Sequence, residues 1–221
     1  GSCKGREDKM DVLERILGKK IIAIIRGFKL DETLKTADAV AAGGLGLLEV
    51  PFDQRRPLAY TTDKIKALAD RYQDGQVLVG AGTVLTVGQV RAAREAGAAY
   101  IITPTSREDV IKETKALGMT AMPGAMTPSE IEQCYRWGAD IVKVFPSDHL
   151  GAGYIRALQG PLSYIPLAAV GGVDLDNILD FFKAGACCVG IGGNIVNRKM
   201  IEAGDYRGIE NLAAAYAAKI R

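Results

Sequence analysis

Two charged residues lie inside apolar stretches that have the pattern of buried β-strands. Lys143 stands between Val142 and Val144, and Glu49 follows Leu47-Leu48. Burying an ammonium or a carboxylate without a partner is costly, and a shifted pKa is the usual relief. A lysine whose pKa falls becomes a neutral amine that attacks carbonyl carbon, and a nearby carboxylate can then move protons. The pair indicates imine chemistry, with a structural ion pair or a lysine that reaches solvent as the alternatives.

Two glycine pairs follow the last two apolar runs of the chain. They are Gly171-Gly172 and Gly192-Gly193. Barrels of parallel strands commonly bind a phosphate at this place through backbone N–H groups and a helix N-terminus. A tight turn also requires glycine, so each pair alone is a weak signal. The two pairs together predict a phosphorylated ligand.

Arg26 and Thr83 each stand at the end of another apolar run. The Arg26 guanidinium can hold a substrate carboxylate in a bidentate fork, or it can neutralise Glu49. Thr83 ends the sequence Gly-Ala-Gly-Thr over residues 80–83. The glycines there can allow a ligand to approach closely, or they can be needed because the barrel interior is too crowded for a side chain. The only histidine, His149, has no metal-ligand spacing around it.

Eight apolar runs alternate with amphipathic segments. The runs are continuous, as in parallel strands that are covered on both faces. The predicted strands span residues 20–26, 45–52, 77–83, 100–105, 120–125, 140–145, 167–171 and 187–191. Predicted helices begin near residues 31, 57, 87, 106, 127, 153, 174 and 209, after an opening helix over residues 10–17. Capping signals mark three of these starts, at Asp31, residues 106–109 and residues 127–130.

This alternation predicts an α/β fold consisting of one (β/α)8 TIM barrel with a short N-terminal helix. The barrel is expected over residues 10–221, after an N-terminal tail of residues 1–9. An open doubly wound sheet is the alternative, but the first strand-helix turn lacks the G-x-G-x-x-G of a dinucleotide site. Active sites of such barrels lie at the C-terminal ends of the strands, where the polar residues above are found.

Composition argues against several classes of protein. The 221 residues include 28 basic and 26 acidic side chains, so the net charge is +2 and no nucleic-acid surface is expected. No run of 18 apolar residues occurs, which argues against a membrane protein, and the N-terminus lacks the apolar core of a signal peptide. The four cysteines form no C-x-x-C pair, so reduced thiols in a cytoplasmic protein are expected.

Five sequence blocks occur in order along the chain. They are Leu47-Leu48-Glu49-Val50, Gly80-Ala81-Gly82-Thr83-Val84-Leu85, Met122-Pro123-Gly124, Val142-Lys143-Val144-Phe145-Pro146 and Val170-Gly171-Gly172-Val173. The blocks resemble the signature segments of the class I 2-keto-3-deoxy-6-phosphogluconate (KDPG) and 4-hydroxy-2-oxoglutarate (KHG) aldolase family, including its phosphogalactonate (KDPGal) branch. The lysine and glutamate blocks are specific to this family, whereas other phosphate-binding barrels share the glycine blocks.

The resemblance implies a homotrimer that cleaves a 2-keto-3-deoxy acid phosphate to pyruvate and glyceraldehyde 3-phosphate, without a metal or an organic cofactor. Lys143 would form the Schiff base, and Glu49 would act as acid and base, partly through a water. Thr83 would contact the pyruvate carboxylate, while Pro104 and Phe145 would line the substrate pocket. The phosphate would be bound by Gly171, Gly172, Gly192, Gly193 and Asn194.

Two departures from the family pattern concern binding groups. Asp53 occupies the position where KDPG members usually have an arginine. Carboxylate binding would then fall to Arg26, with Arg55 and Arg56 as alternatives. Asn194 replaces the usual serine after the last glycine pair and retains a hydrogen-bond donor.

A third departure concerns the choice of substrate. Val170 replaces the threonine of the usual Thr-Gly-Gly block, so the resemblance is stronger to the KDPGal branch. The main substrate stays open among the two C4 epimers and 4-hydroxy-2-oxoglutarate. Two other functions are weighed beside the aldolase: a non-catalytic barrel that binds a phosphosugar, and a phosphosugar isomerase or synthase without an imine.

Overall fold

The computed structural model describes residues 11–221 as parallel strands enclosed by helices. The strands are β1 Ile21–Ile24, β2 Leu47–Pro51, β3 Leu78–Gly82, β4 Tyr100–Ile102, β5 Thr120–Met122, β6 Gly124–Ala125, β7 Val142–Val144, β8 Leu167–Val170 and β9 Ala186–Ile191. The helices are α1 Val12–Lys19, α2 Leu30–Ala42, α3 Ala59–Arg71, α4 Val87–Ala96, α5 Glu108–Ala116, α6 Pro128–Arg136, α7 Gly151–Leu162, α8 Ile178–Lys183, α9 Arg198–Glu202 and α10 Tyr206–Lys219.

The predicted fifth strand is divided into β5 and β6 at Pro123. A proline has no N–H to donate to a strand ladder, so pairing is interrupted there. β5 pairs with β4, and β6 pairs with β7. Because one residue separates these two halves, the strand order closes into a ring of eight. The predicted TIM barrel with an N-terminal helix is confirmed, and the doubly wound alternative is wrong.

Helix α1 covers the N-terminal end of the barrel. Its Ile16 is fully buried in a cluster of inward-facing side chains that includes Ile22, Leu47 and Ile141. The helix spans Val12–Lys19, two residues later than predicted. With this end filled by apolar side chains, the opposite end of the barrel is left for a ligand.

Strand geometry determines which side chains point into the barrel above this cluster. Side chains two residues apart on a strand share a face. Glu49 therefore follows Leu47 on the inner face of β2, and Lys143 follows Ile141 towards the inside at β7. β2 and β7 are four strands apart in either direction around the ring, so the two charged residues lie on opposite walls.

Of two predicted helix N-termini, one is confirmed by the structure and the other is wrong. The capping box at residues 127–130 is confirmed: the Thr127 hydroxyl accepts from the Glu130 N–H at 3.3 Å, and the Glu130 carboxylate accepts from the Thr127 N–H at 3.1 Å. The Asp31 N-cap is wrong, since α2 begins one residue earlier and its N-cap is Lys29. There the Glu32 carboxylate accepts from the Lys29 N–H at 2.9 Å, which removes the need for an Asp31 cap.

The capping box predicted at residues 106–109 is also wrong. The Ser106 hydroxyl donates to the Gly124 carbonyl at 2.7 Å instead of capping a helix, and α5 begins at Glu108. Helix α9 was missed by the sequence pattern because it has only five residues. Its start carries a local signal, since the Asn197 side chain accepts from the Met200 N–H at 3.1 Å.

Some expectations concern residues 1–10, which lie outside the described part of the chain. These are the tail of residues 1–9 with Cys3, and the first residue of the predicted opening helix. None of the helices within residues 11–221 combines the length and the apolar composition that a membrane-spanning helix requires. In the same range Cys134, Cys187 and Cys188 are free thiols.

Candidate active site

A cavity of about 750 Å³ opens at the C-terminal end of the barrel. Its volume is within the range of small-molecule sites. Every site residue predicted from the sequence lines it: Arg26, Glu49, Thr83, Pro104, Lys143, Phe145, Val170, Gly171, Gly172, Gly192, Gly193 and Asn194. Their individual roles stay predictions, but the barrel brings all of them to one place.

Lys143 and Glu49 shift each other's proton affinity within this cavity. Both are buried, at 7% and 3% exposure. Burial lowers the pKa of Lys143 below that of a free lysine; the nearby Glu49 charge opposes the shift and the Arg26 charge adds to it. Burial raises the pKa of Glu49, against the opposing charges of Lys143 and Arg26. The pair therefore holds an amine that loses its proton readily and a carboxyl that accepts one readily.

The glycines of β3 make room for the side chains around Glu49. A methyl group at Gly82 would overlap the Glu49 carboxylate, and one at Gly80 would overlap the Tyr100 ring. Tyr100 is fully buried and donates a hydrogen bond from its hydroxyl to the Leu48 carbonyl, next to Glu49. The glycines at 80 and 82 are therefore explained by a crowded interior, and the close approach of a ligand is not needed to account for them.

Arg26 and Thr83 contact each other at the rim of the cavity. Arg26 Nη2 donates to Thr83 Oγ1 at 2.9 Å. Thr83 has a left-handed backbone with φ of 49°, which is uncommon for a β-branched residue. Gln54 Nε2 donates to the Thr83 carbonyl at 2.9 Å, and Gln89 Nε2 donates to Gln54 Oε1 at 2.8 Å. This chain of amides holds the threonine hydroxyl towards the guanidinium.

The two alternative carboxylate-binding arginines do not line this cavity. Arg55 pairs with Asp53, at 3.1 Å from Nε to Oδ1, and its side chain is 89% exposed. Arg56 lies over the Tyr60 ring, 5.2 Å from guanidinium carbon to centroid. Among the three arginines considered from the sequence, only Arg26 lines the cavity of Lys143.

The walls near the lysine are apolar. Lys143 Nζ lies 4.5 Å from the centroid of the Phe145 ring, which is partly exposed to the cavity mouth. Val170 is paired in register with Gly190 on β9, and a Cβ at Gly190 would lie 2.9 Å from a Val170 methyl group. Together with Pro104, these side chains leave the amine in surroundings that favour its neutral form.

The absence of a side chain has a different physical role at each of the two glycine pairs. Gly171 and Gly172 have φ of 103° and 71°, and a Cβ at Gly172 would lie 2.5 Å from Cβ of Asp148. Their lack of a side chain is required by the backbone and by packing. A Cβ at Gly192 or Gly193 would meet no described atom within 4 Å, and neither glycine has a positive φ. The second pair leaves open space that a ligand can fill.

Three neighbouring side chains complete this end of the cavity. Asn194 Nδ2 donates to the Val173 carbonyl at 2.9 Å and so links the loops after β8 and β9. Arg198 and Phe28 also line the cavity, with the Arg198 guanidinium carbon 4.4 Å from the Phe28 centroid. Sequence reasoning missed both, although the N-cap Asn197 directly before Arg198 could have indicated a helix start there.

Metal-binding side chains do not assemble in the part of the chain that is described. No group of three His, Cys, Asp or Glu residues within residues 11–221 is arranged to hold a metal ion. A parallel barrel with a buried amine opposite a buried carboxyl contains the two groups on which the imine-forming barrel lyases, the class I aldolases, depend. The family model "Aldolase: KDPG and KHG aldolase" matches residues 12–212. The chain belongs to the KDPG and KHG aldolase family.

Relatives from both branches of the family resemble the chain over most of its length. The 2-dehydro-3-deoxy-6-phosphogalactonate aldolase of Escherichia coli K12 is 37% identical over 176 residues, covering 79% of this chain and 83% of that protein. The solved native KDPGal structure has a TM-score of 0.82 at 35% identity, covering 91% of this chain and 94% of its own. KDPG aldolase from Legionella pneumophila, solved with pyruvate captured as a covalent carbinolamine intermediate, has a TM-score of 0.82 at 27% identity, covering 92% and 97%.

Proposed function

We propose that this chain cleaves a 2-keto-3-deoxy-6-phosphosugar acid, of the gluconate or galactonate configuration, to pyruvate and glyceraldehyde 3-phosphate. It does so through an imine on Lys143, without a metal or an organic cofactor, as a cytoplasmic homotrimer. The observation that carries the proposal is the buried Lys143 amine opposite Glu49 in a cavity with an open glycine rim. 4-Hydroxy-2-oxoglutarate is the alternative substrate, and is expected to react more slowly because it lacks the phosphate.

The first half of the reaction forms the imine. The neutral amine of Lys143 attacks the C2 ketone of the substrate and gives a carbinolamine. Loss of water from the carbinolamine leaves an iminium ion on Nζ. The lowered pKa of Lys143 favours the attacking form, and the Phe145 ring provides an apolar wall beside Nζ. Glu49 supplies and removes the protons of these steps, directly or through a water.

The second half breaks the carbon–carbon bond. Glu49, through a water, takes the proton of the C4 hydroxyl, and C4 becomes the aldehyde carbon of glyceraldehyde 3-phosphate. The electrons of the C3–C4 bond move into the iminium, which becomes an enamine. Protonation of the enamine at C3 gives the iminium of pyruvate. Water then hydrolyses this iminium, releases pyruvate and restores the Lys143 amine.

The remaining groups orient the substrate. The Arg26 guanidinium and the Thr83 hydroxyl bind the keto-acid carboxylate, and their mutual hydrogen bond holds them in place. Backbone N–H groups at Gly192 and Gly193 bind the phosphate, with support from Asn194 and from the first glycine pair. This assignment uses both polar ends of the cavity and leaves the reacting carbons over Lys143.

Trapping the imine is the direct test of the proposal. Borohydride added with pyruvate should add about 72 Da to the protein, the mass of pyruvate after reductive amination. Peptide mass spectrometry should locate the adduct on Lys143. An unmodified protein, or an adduct on a different lysine, would contradict the assignment.

Arg26→Lys is expected to weaken the binding of the keto acid although it keeps the positive charge. An ammonium cannot reproduce the two parallel N–H donors of a guanidinium, so the carboxylate loses its bidentate contact. We expect KM for the substrate to rise at least about tenfold, the effect of losing one charge-assisted hydrogen bond. Steady-state kinetics measures the change. Arg55→Lys serves as the control, and an effect confined to that control would move the role to Arg55.

Val170 is expected to influence which C4 epimer is cleaved. A threonine hydroxyl at this strand end can hydrogen-bond the C4 oxygen in one configuration, whereas an isosteric valine cannot. The lost bond is worth about 1.4 kcal/mol, or a factor of ten, so we expect the galactonate epimer to be cleaved at least as well as the gluconate epimer. Val170→Thr should raise relative kcat/KM for the gluconate epimer. A strong gluconate preference in the unmodified protein would show that Val170 does not set the stereochemistry.

A further inference from the structure

A second cavity of about 580 Å³ lies beside the active-site cavity. It is formed by the loops that follow β1 and β2 and by the first turns of α3. Arg26, Thr83 and Arg198 line both cavities and form the wall between them. Neither Lys143 nor Glu49 lines the second cavity, so it is separate from the residues that carry the proposed reaction.

Lys64 contributes a cation to this second cavity, although most of its side chain is buried. It lies on α3 and is only 6% exposed. No carboxylate of residues 11–221 lies within 4 Å of its ammonium, and no hydrogen bond to those residues reaches it. Its contact is the Tyr60 ring, whose centroid lies 3.5 Å from Nζ. Nζ is not among the enclosed polar atoms that lack a partner, so the ammonium opens onto the cavity with only this ring beside it. A cation–π contact leaves the charge free to attract an anion from the cavity.

The charged residues that line the cavity include more cations than carboxylates. Its charged lining residues are four cations and one carboxylate: Arg26, Arg55, Lys64, Arg198 and Asp53. The carboxylate is already used, because Asp53 accepts from Arg55 Nε at 3.1 Å and from Arg55 Nη2 at 3.3 Å. The Arg26 side chain donates to the neutral Thr83 hydroxyl. Arg198 pairs with Glu202, at 3.8 Å, and Glu202 does not line the cavity. The lining itself therefore presents more cationic groups than carboxylates to the space.

We propose that the second cavity is a binding site for a phosphate group, either free inorganic phosphate or a compact phosphate monoester. A phosphate offers several acceptor oxygens at once, which suits a set of cations that come from four different segments of the chain. The arginines provide paired planar donors, and Lys64 provides a compact point charge. The volume accommodates such a ligand. The glycine pairs of the active site do not line this cavity, so it is a second site.

Calorimetric titration of the full chain with inorganic phosphate at low ionic strength tests the proposal. The unmodified protein should bind one phosphate more per chain than Lys64→Met, or the affinity of that site should fall at least about tenfold in the variant. Methionine keeps the buried apolar stem of the lysine. Lys66→Met on the same helix is the matched control: its side chain is 67% exposed and pairs with Asp70 at 3.1 Å. It should bind as the unmodified protein does.

A second variant keeps the test valid if Lys64→Met folds poorly. Arg55→Gln changes a side chain that is 89% exposed and should weaken the same binding event by about threefold or more. Glycerol 3-phosphate in place of phosphate separates the two sources: equal binding means that the site recognises the oxyanion alone, and ester-only binding means that it also requires the carbon chain. Equal binding of both probes by the unmodified protein, Lys64→Met and Arg55→Gln would overturn the proposal, whatever the outcome for aldol cleavage.

Discussion

Lys143→Met is expected to lower kcat/KM for aldol cleavage by at least about 10²-fold, the low end of effects from removing a chemical group at a reacting centre. Methionine fills similar space on β7 but has no amine to attack the C2 ketone, so no imine forms. The side chain is buried and close to the Phe145 ring, where a thioether packs without difficulty. Steady-state kinetics with both C4 epimers measures the loss.

The control for this variant is Lys112→Met, on the exposed surface of α5. Its side chain is 62% exposed and pairs with Glu108. Thermal unfolding of both variants separates loss of chemistry from loss of structure. Activity that survives EDTA in the unmodified protein and disappears in Lys143→Met is the expected combination. Full activity in Lys143→Met would instead favour isomerase or synthase chemistry that needs no imine.

Glu49→Gln is expected to lower turnover by at least about 10²-fold as well, because the amide cannot take up or release the protons of imine formation and bond cleavage. Glutamine has nearly the same shape and occupies the space that Gly82 leaves free. We therefore expect kcat to fall with the fold intact. A purely structural carboxylate would instead show reduced thermal stability with turnover preserved.

Glu49→Gln is also expected to shift the pH dependence of imine formation towards lower pH. The Glu49 charge raises the pKa of Lys143 against the effect of burial. Removing that charge should lower the pKa of Lys143 further, so the amine becomes neutral at lower pH. The pH profile of borohydride trapping with pyruvate should therefore have its midpoint below that of the unmodified protein. A midpoint displaced to higher pH would show that the two groups do not interact as their burial implies.

The fold was accessible from the sequence because its signals are local. Continuous apolar runs and the capping box at residues 127–130 both depend on neighbours within a few residues. Eight repeats of the same pattern have few compact solutions, of which the closed barrel is the best known. Local signals failed where two of them compete. The Glu32 carboxylate accepts from the Lys29 N–H, so the helix starts after Lys29 and not at the N-cap expected at Asp31.

The candidate catalytic residues could also be found from the sequence, because a charged residue inside an apolar segment is unusual in any fold. Lys143 and Glu49 stood out in this way without any knowledge of their distance. Strand periodicity then places both on the inner face, but only closure of eight strands puts β2 opposite β7. The sequence favoured Arg26 over Arg55 and Arg56 as the carboxylate-binding residue. Of these three, the tertiary structure brings only Arg26 to the cavity of Lys143.

Only the tertiary structure showed which side chains from distant parts of the chain line the same cavity. Arg198 comes to the active-site cavity from the short helix α9, and Lys64 enters the second cavity from α3. Lys64 lies in an ordinary amphipathic helix where a lysine is expected on the exposed face. Here Lys64 is buried and shares a cavity with residues of the loops after β1 and β2, an arrangement set by contacts between residues far apart in the chain. Sequence patterns report the neighbours of a residue along the chain, whereas its solvent exposure and charge partners depend on how the elements pack.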